Sequence, residues 1–273
     1  MKKSITILAA GFSLLMLSYL LSSCEDLLNL GNNPDELTTE EVIEGLKTAL
    51  NVGTDTAVSV VSVTDGYYLD EIIKIPLPDE ASIITDNLDN PLLQALGLSS
   101  MVEDVILSIN RSAEEAAKGA APIFKDAITG LSISDAWAIL NGTNPAGKKK
   151  TDSEEFDSTA ATAYLKSTTY GPLEELFSPV VNQALDKDTG LGFSANQAWN
   201  TLTGAYNAVA GTIAGQLAGL QTVDTELDEF VVGKALDGLF YKVGLEEKKI
   251  REDPLAWAGT TVGAIFEKVF GSG

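Results

Sequence analysis

Leu227-Asp228-Glu229-Phe230-Val231-Val232-Gly233-Lys234-Ala235-Leu236-Asp237-Gly238-Leu239-Phe240-Tyr241-Lys242-Val243 decides the fold. Leu227, Val231, Val232, Ala235, Leu236, Leu239, Phe240 and Val243 recur at helical spacing, which stacks them on one side of an α-helix as a wide, core-facing stripe. Thr225 to Asp228 starts this element and Glu252 ends it. Its last turns are laced by Glu246 with Lys249, Glu247 with Arg251 and Lys248 with Glu252, read as pairs on a solvated surface. Asp253-Pro254 fits an N-cap and first-turn proline for a final helix to Phe270.

The same periodicity returns on the N-terminal side. Thr38-Thr39-Glu40-Glu41 has the form of a capping box, followed by Val42, Leu46, Ala49, Leu50 and Val52. Asp65-Gly66-Tyr67-Tyr68 reads as a turn, and the prolines of Lys74-Ile75-Pro76-Leu77-Pro78 hold that stretch extended. From Pro91 to Lys118 a helix carries Leu98, Val102, Val105, Ile106, Ile109, Ala113, Ala116 and Ala117 inward; on its solvated face Glu114 and Lys118 are spaced i,i+4 and Arg111 lies within reach of Glu114 and Glu115. Pro122 to Gly130 is a helix, and Ser132 to Asp135 caps another that stops at Asn141-Gly142. Thr143 to Asp157, with Lys148, Lys149 and Lys150, is a loop. Ala160 to Ser167 is helical, and Gly171-Pro172 and Ser178-Pro179 mark new starts or kinks. Asp186 to Gly190 imitates a calcium loop, but Leu191 and Gln197 stand where Gly and Glu are needed. Alternation of strand period appears over no useful length, so the fold class is all-α, a single multi-helix bundle over residues 38–270.

Ser194 with Gln197 fits a second capping box, and Thr189 to Val223 carries no charge. Within it Gly211, Gly215 and Gly219 recur every fourth position and predict a helix face almost without side chains, able to approach another helix closely. That face serves either an internal, tightly packed helix or one that oligomerises or enters lipid; Asn200, Asn207, Gln216 and Gln221 favour the internal helix.

Ahead of the bundle, Lys2-Lys3 precedes an uncharged run to Ser22 and then Leu21-Ser22-Ser23-Cys24. This ending resembles the lipobox of bacterial lipoproteins, in which the cysteine is diacylglycerol-modified and acylated (palmitate among the chains). The resemblance implies a signal peptide over residues 1–23, lipidation of Cys24, and a tether over residues 24–37 containing Gly31-Asn32-Asn33-Pro34. The expected location is the bacterial cell envelope, lipid-anchored in the outer membrane on its periplasmic side or at the cell surface. Membrane attachment through the anchor is the first expected partnership.

Composition excludes several classes. Of 273 residues, removal of 1–23 leaves 16 Lys and Arg against 39 Asp and Glu, a net charge of −23 that repels nucleic acid. Histidine is absent and Cys24 is the only cysteine, which removes Ser-His-Asp catalysis, thiol chemistry and the usual zinc sites. Neither a metal nor a cofactor is expected.

Gly45-Leu46-Lys47 to Thr54, Ile75 to Pro78, Asn110-Arg111, Pro122 to Ile128, Ala138 to Gly142, Lys234 to Phe240 and Glu246 to Pro254 together resemble an uncharacterised bacterial lipoprotein family, the domain of unknown function 4197. The resemblance spans Thr38 to Phe270 and implies an all-helical envelope domain, with no catalytic residue to carry over. Thr143 to Ser158 departs from it as an insertion, and the uncharged glycine-spaced stretch is smoother than the family pattern.

Among the polar residues of these stretches, Asn141 and Asp253 read as caps, Lys234 and Asp237 as an i,i+3 pair. Arg111, Asp126, Lys234 and Asp237 are candidates for a buried, salt-bridged network, since a carboxylate among apolar residues needs a cation or several donors. Three functions follow as hypotheses: a non-enzymatic module binding a protein partner or apolar small ligand, or lending structural support; a hydrolase working through paired carboxylates; and a protein that oligomerises or inserts in lipid through Gly211, Gly215 and Gly219.

Overall fold

The computed structural model describes residues 38–86, 98–143, 156–188, 192–217, 219–224, 226–257 and 263. The chain divides into Met1–Thr38 and Thr39–Gly273, and every described element belongs to the second unit. The expected signal peptide and tether, the start of the helix expected from Pro91, the lysine triplet, residues 189–191 and most of the expected final helix lie outside the described residues.

Helix α1, Thr39–Val61, begins at the sequence's capping signal and buries Val42, Leu46, Ala49, Leu50, Ala57 and Val61. An irregular strap over residues 62–78 follows, turning through Asp65 to Leu69 and running extended through Ile75 and Pro76, before helical turns at Asp79–Ala81 and Ser82–Thr85. Helix α2, Leu98–Ala117, faces inward through Val102, Val105, Ile109, Ala113 and Ala117. Helix α3, Ala120–Thr129, leads to α4, Ile133–Leu140, where the Oγ of Ser132 caps Asp135 N.

Helix α5 runs unbroken from Ala160 to Asp186, so Pro172 and Pro179 neither start new helices nor divide this one. A proline inside a helix costs about 3 kcal/mol, yet these two are seven residues apart and both exposed. The carbonyls each would have engaged, on Thr168 and Glu175, belong to exposed residues as well, where water can satisfy them. Leu165, Leu173, Phe177, Val181 and Leu185 on the other side are completely buried, and that burial offsets the cost.

Helix α6, Ala195–Ala210, opens with both bonds of the capping box: Gln197 N donates to Ser194 Oγ, and Ser194 N donates to Gln197 Oε1. It ends at Gly211, and a separate short helix, α7, covers Ile213–Leu217. The continuous glycine-faced helix expected over Gly211, Gly215 and Gly219 is therefore corrected. The chain folds back so tightly that a Cβ on Gly215 would lie 2.2 Å from Val209 O and 2.8 Å from Ala210 O. Its small residue serves a close approach of α7 to the end of α6, the element just before it in the chain, not the docking of a distant helix.

Helix α8, Leu227–Glu252, packs along α5 and α1 and against α2. Phe240 meets Phe124 of α3 edge-on at 5.7 Å and stacks with Tyr170 of α5 at 6.4 Å. A 3₁₀ turn, Pro254–Trp257, follows, with Asp253 Oδ1 accepting from Ala256 N. Among the described residues the only extended pairing is the isolated bridge between Asp188 and Ser194, and no helix is long and apolar enough to cross a membrane.

Candidate functional site

The strap is fastened to α2 and α8 by polar side chains at helix positions. Asn110, wholly buried on α2, accepts from Ile75 N and donates to Ile75 O, both at 2.8 Å, so one carboxamide replaces the strand that an extended segment ordinarily pairs with. Glu114, one turn on, accepts from the backbone N–H groups of Tyr67 and Tyr68 and from Arg111 at 2.7 Å. Arg111 also reaches Asp65 at 2.6 Å, and Asp65 holds φ at 70°, a left-handed conformation that Asp tolerates better than most residues. Burial works against the guanidinium's charge, but the bonds from Glu114 and Asp65 outweigh it and raise its pKa above the ordinary value.

Tyr67 projects from the strap into the core, where its hydroxyl donates to Ala235 O of α8 at 2.7 Å. Burial, reinforced by the charge of Glu114, pushes this phenol far above its usual range, so it serves as a fixed donor. Only glycine fits opposite: a Cβ on Gly238 would meet Tyr67 Cε1 at 2.8 Å and Ile73 Cβ at 3.1 Å. Asp70 bonds to Lys242 of α8 and accepts from Ile72 N and Ile73 N. Partial burial raises the Asp70 pKa, yet Lys242 and the two N–H groups prevail and hold it below the usual value.

Beside this network an open groove of about 770 Å³ runs past Ser62 and Thr64 just beyond α1, Arg111 on α2, Lys118 just after α2, and Lys187 after α5. It is polar, with cations and carboxylates on both walls, and Lys118 is bonded to Glu115 at 2.6 Å. The Lys118 bond holds the Glu115 carboxyl below the usual range.

A second network joins α8, α5 and α4. Glu247 accepts from Ala161 N (3.0 Å), Thr162 N (2.8 Å) and Thr162 Oγ1 (2.8 Å), capping α5 from a residue on another helix. Thr159, at the local N-cap position, makes no side-chain cap bond. Arg251 grips Glu247 through Nε at 3.0 Å and Nη2 at 2.8 Å, and bonds Ile139 O, the end of α4, at 3.0 Å. The side chains of Glu247 and Arg251 are only 8% and 10% exposed, so the expected surface pair is in fact a buried clamp. An apolar dimple beside it, between Leu46, Gly53 and Val243, has about 20 Å³ free, the room of one water.

The four-residue buried network expected from sequence is not assembled. Arg111 is charge-paired, with Glu114 at i,i+3 as its spacing allows and with Asp65 of the strap, and its side chain remains 28% exposed. Asp126 is exposed on α3. Lys234 is exposed over the Phe230 ring, 5.7 Å from its centre, and Asp237 pairs with Lys166 of α5 at 2.8 Å instead of with Lys234. Positions 126, 234 and 237 fall on the outward side of helices whose inward residues are apolar, so water solvates their charges. Glu114, placed by sequence on a solvated face, is 4% exposed. Its signal was the adjacency of Arg111 and the Tyr67-Tyr68 turn, joined only by the fold. Lys249 does pair with Glu246, at 2.6 Å. Among the described residues no group of His, Cys, Asp and Glu could hold a metal ion.

One family matches: that described as "Protein of unknown function (DUF4197)" covers residues 36–271. No curated protein and no solved structure matches the chain significantly.

Proposed function

From the premise that this chain belongs to the DUF4197 family of proteins of unknown function, we propose that it is a non-enzymatic helical module, lipid-anchored through Cys24 in the bacterial envelope, that binds a protein partner or an apolar small ligand. The observation that carries the non-enzymatic reading is the use made of its buried carboxylates. Glu114 and Glu247 each bind their own arginine and two backbone N–H groups, in networks that share no residue. Both oxygens of each carboxylate are taken up by these fixed donors, whereas a hydrolase of the paired-carboxylate kind needs two carboxyl groups facing one substrate. These side chains instead fix the strap to α2 and the start of α5 to α8.

The lipobox-like Leu21-Ser22-Ser23-Cys24 supports the anchor. Two or three acyl chains, at about 0.8 kcal/mol per buried CH₂, give stable attachment where one gives a marginal one. The test is mass spectrometry of the N-terminal peptide of protein purified from native membranes, with crosslinked partners and extractable ligands identified from the same material. Acylated Cys24 and a specific partner or ligand are expected. An unmodified Cys24, or a bare monomer after crosslinking and extraction, refutes the proposal.

A further inference from the structure

We infer that the turn bearing α7 is a lipid-contact ledge, through which Ile213 and Leu217 enter the outer edge of a bilayer; this rests on the anchoring reading above. These are the two most exposed large apolar side chains among those described, at 79% and 84%, and one helical turn apart they share a face of α7. Their exposure is built in. Gly215 is buried against the end of α6, Thr212 Oγ1 accepts from Gly215 N and donates to Val209 O, and Leu220 N returns to Gly215 O. Farther on, the Asn207 carboxamide accepts from Val223 N and donates to Val223 O. The turn's polar backbone is thus engaged inward at both ends while its apolar side chains face out.

Charge selects the occupant. A mature chain of net charge −23 is repelled by anionic headgroups over most of its surface. Residues 189–223, which include the ledge, carry no charge, whereas the next exposed apolar pair, Leu69 and Ile72, brackets Asp70 and Glu71. The flanking carboxylates, Asp186 before this stretch and Asp224, Glu226 and Asp228 after it, line one groove with Asn196 and Asn200. A lipid surface therefore meets least resistance at Ile213 and Leu217. Two aliphatic side chains without a basic flank make a contact that orients a tethered domain, and the bilayer is not crossed.

The experiment uses the full chain in vesicles of phosphatidylcholine and phosphatidylethanolamine, with an environment-sensitive fluorophore on Leu217→Cys or, as control, on Leu69→Cys. Doxyl-labelled lipids are expected to quench the label at 217 and leave that at 69 in water. Replacing the remaining Ile213 by Ser should lower the seated-to-unseated ratio by roughly ten- to a hundredfold, the range that burying such a side chain spans. Equal quenching at both sites, or none at 217, overturns the inference. So does concentration-dependent self-quenching at 217 in its place, which assigns the face to a second copy. The N-terminal peptide mass, read on the same sample, reports the anchor separately: with Cys24 unacylated, the label is placed at 217 on a Cys24→Ser background, and its quenching on added vesicles still decides the ledge.

Discussion

Glu247 and Arg251 form one buried pair, yet the structure makes their removal unequal. Glu247→Ala deletes the acceptor for two N–H groups and one hydroxyl at the start of α5 and leaves Arg251 with a buried charge lacking its carboxylate. Breaking a buried pair in this way costs about 3–5 kcal/mol. Arg251→Met loses the bonds to Glu247 and to Ile139 O but leaves a carboxylate still accepting from Ala161 and Thr162, so about 1.5–3 kcal/mol is expected. In the double variant the buried charges go together and the uncapped α5 remains, a loss of about 0.5–2 kcal/mol. At roughly 2–4 °C per kcal/mol for a domain of this size, Glu247→Ala should melt about 6–20 °C below wild type. Urea and thermal unfolding of the full chain, followed by circular dichroism, measures all three. Arg251→Met costing as much as Glu247→Ala, or a double variant less stable than Glu247→Ala, would refute the assignment of Glu247 as the remote cap of α5.

Three further outcomes follow from the strap and the core. Because the folded pKa of Asp70 is depressed, its contribution is complete above the unfolded value near 3.8 and is lost as pH falls through the lower folded value; wild type should lose stability in that window while Asp70→Asn, already weakened at neutral pH, loses less, as acid titration monitored by tryptophan fluorescence would show. Asn110→Ala strands the N–H and C=O of buried Ile75, and about 2–4 kcal/mol should disappear in urea unfolding, with hydrogen exchange at Ile75 accelerated; unchanged protection there contradicts the pairing. Tyr206 is 1% exposed and its hydroxyl has no hydrogen-bond partner among the described residues, so Tyr206→Phe should leave stability unchanged or raise it by about 1 kcal/mol, and a lower melting temperature counts against that.

The helices were legible because their signals are local. The stripe from Leu227 to Val243, the capping box of Ser194 and Gln197, and the stops at Gly130 and Asn141-Gly142 each depend on neighbours within a turn or two. What escaped sequence reading depends on contacts between distant positions. Glu247 and Ala161 are 86 residues apart, and nothing near Glu247 shows that its carboxylate caps another helix. Glu114 looked solvated because Lys118 and Glu115 beside it are, while the turn that buries it lies 47 residues earlier. Pro172 and Pro179 misled in the opposite direction: a strong local breaker was overruled by the burial of Phe177 and Val181 next to it. Glu114 was legible within reach of Arg111 at i,i+3, but the second partner, Asp65, 46 residues away, was not, since pairing one arginine among 39 carboxylates is a question of tertiary position.

Two of the strap's fastenings are of unlike chemistry, the Asp70 ion pair and the Asn110 carboxamide. A carboxamide does not titrate, so acid unbuttons the segment at residue 70 and leaves it stitched at residue 75. A domain in an acidified compartment would then loosen first around residue 70, while the Asn110 seam and the Tyr67 hydroxyl on Ala235 O keep the strap against the helices.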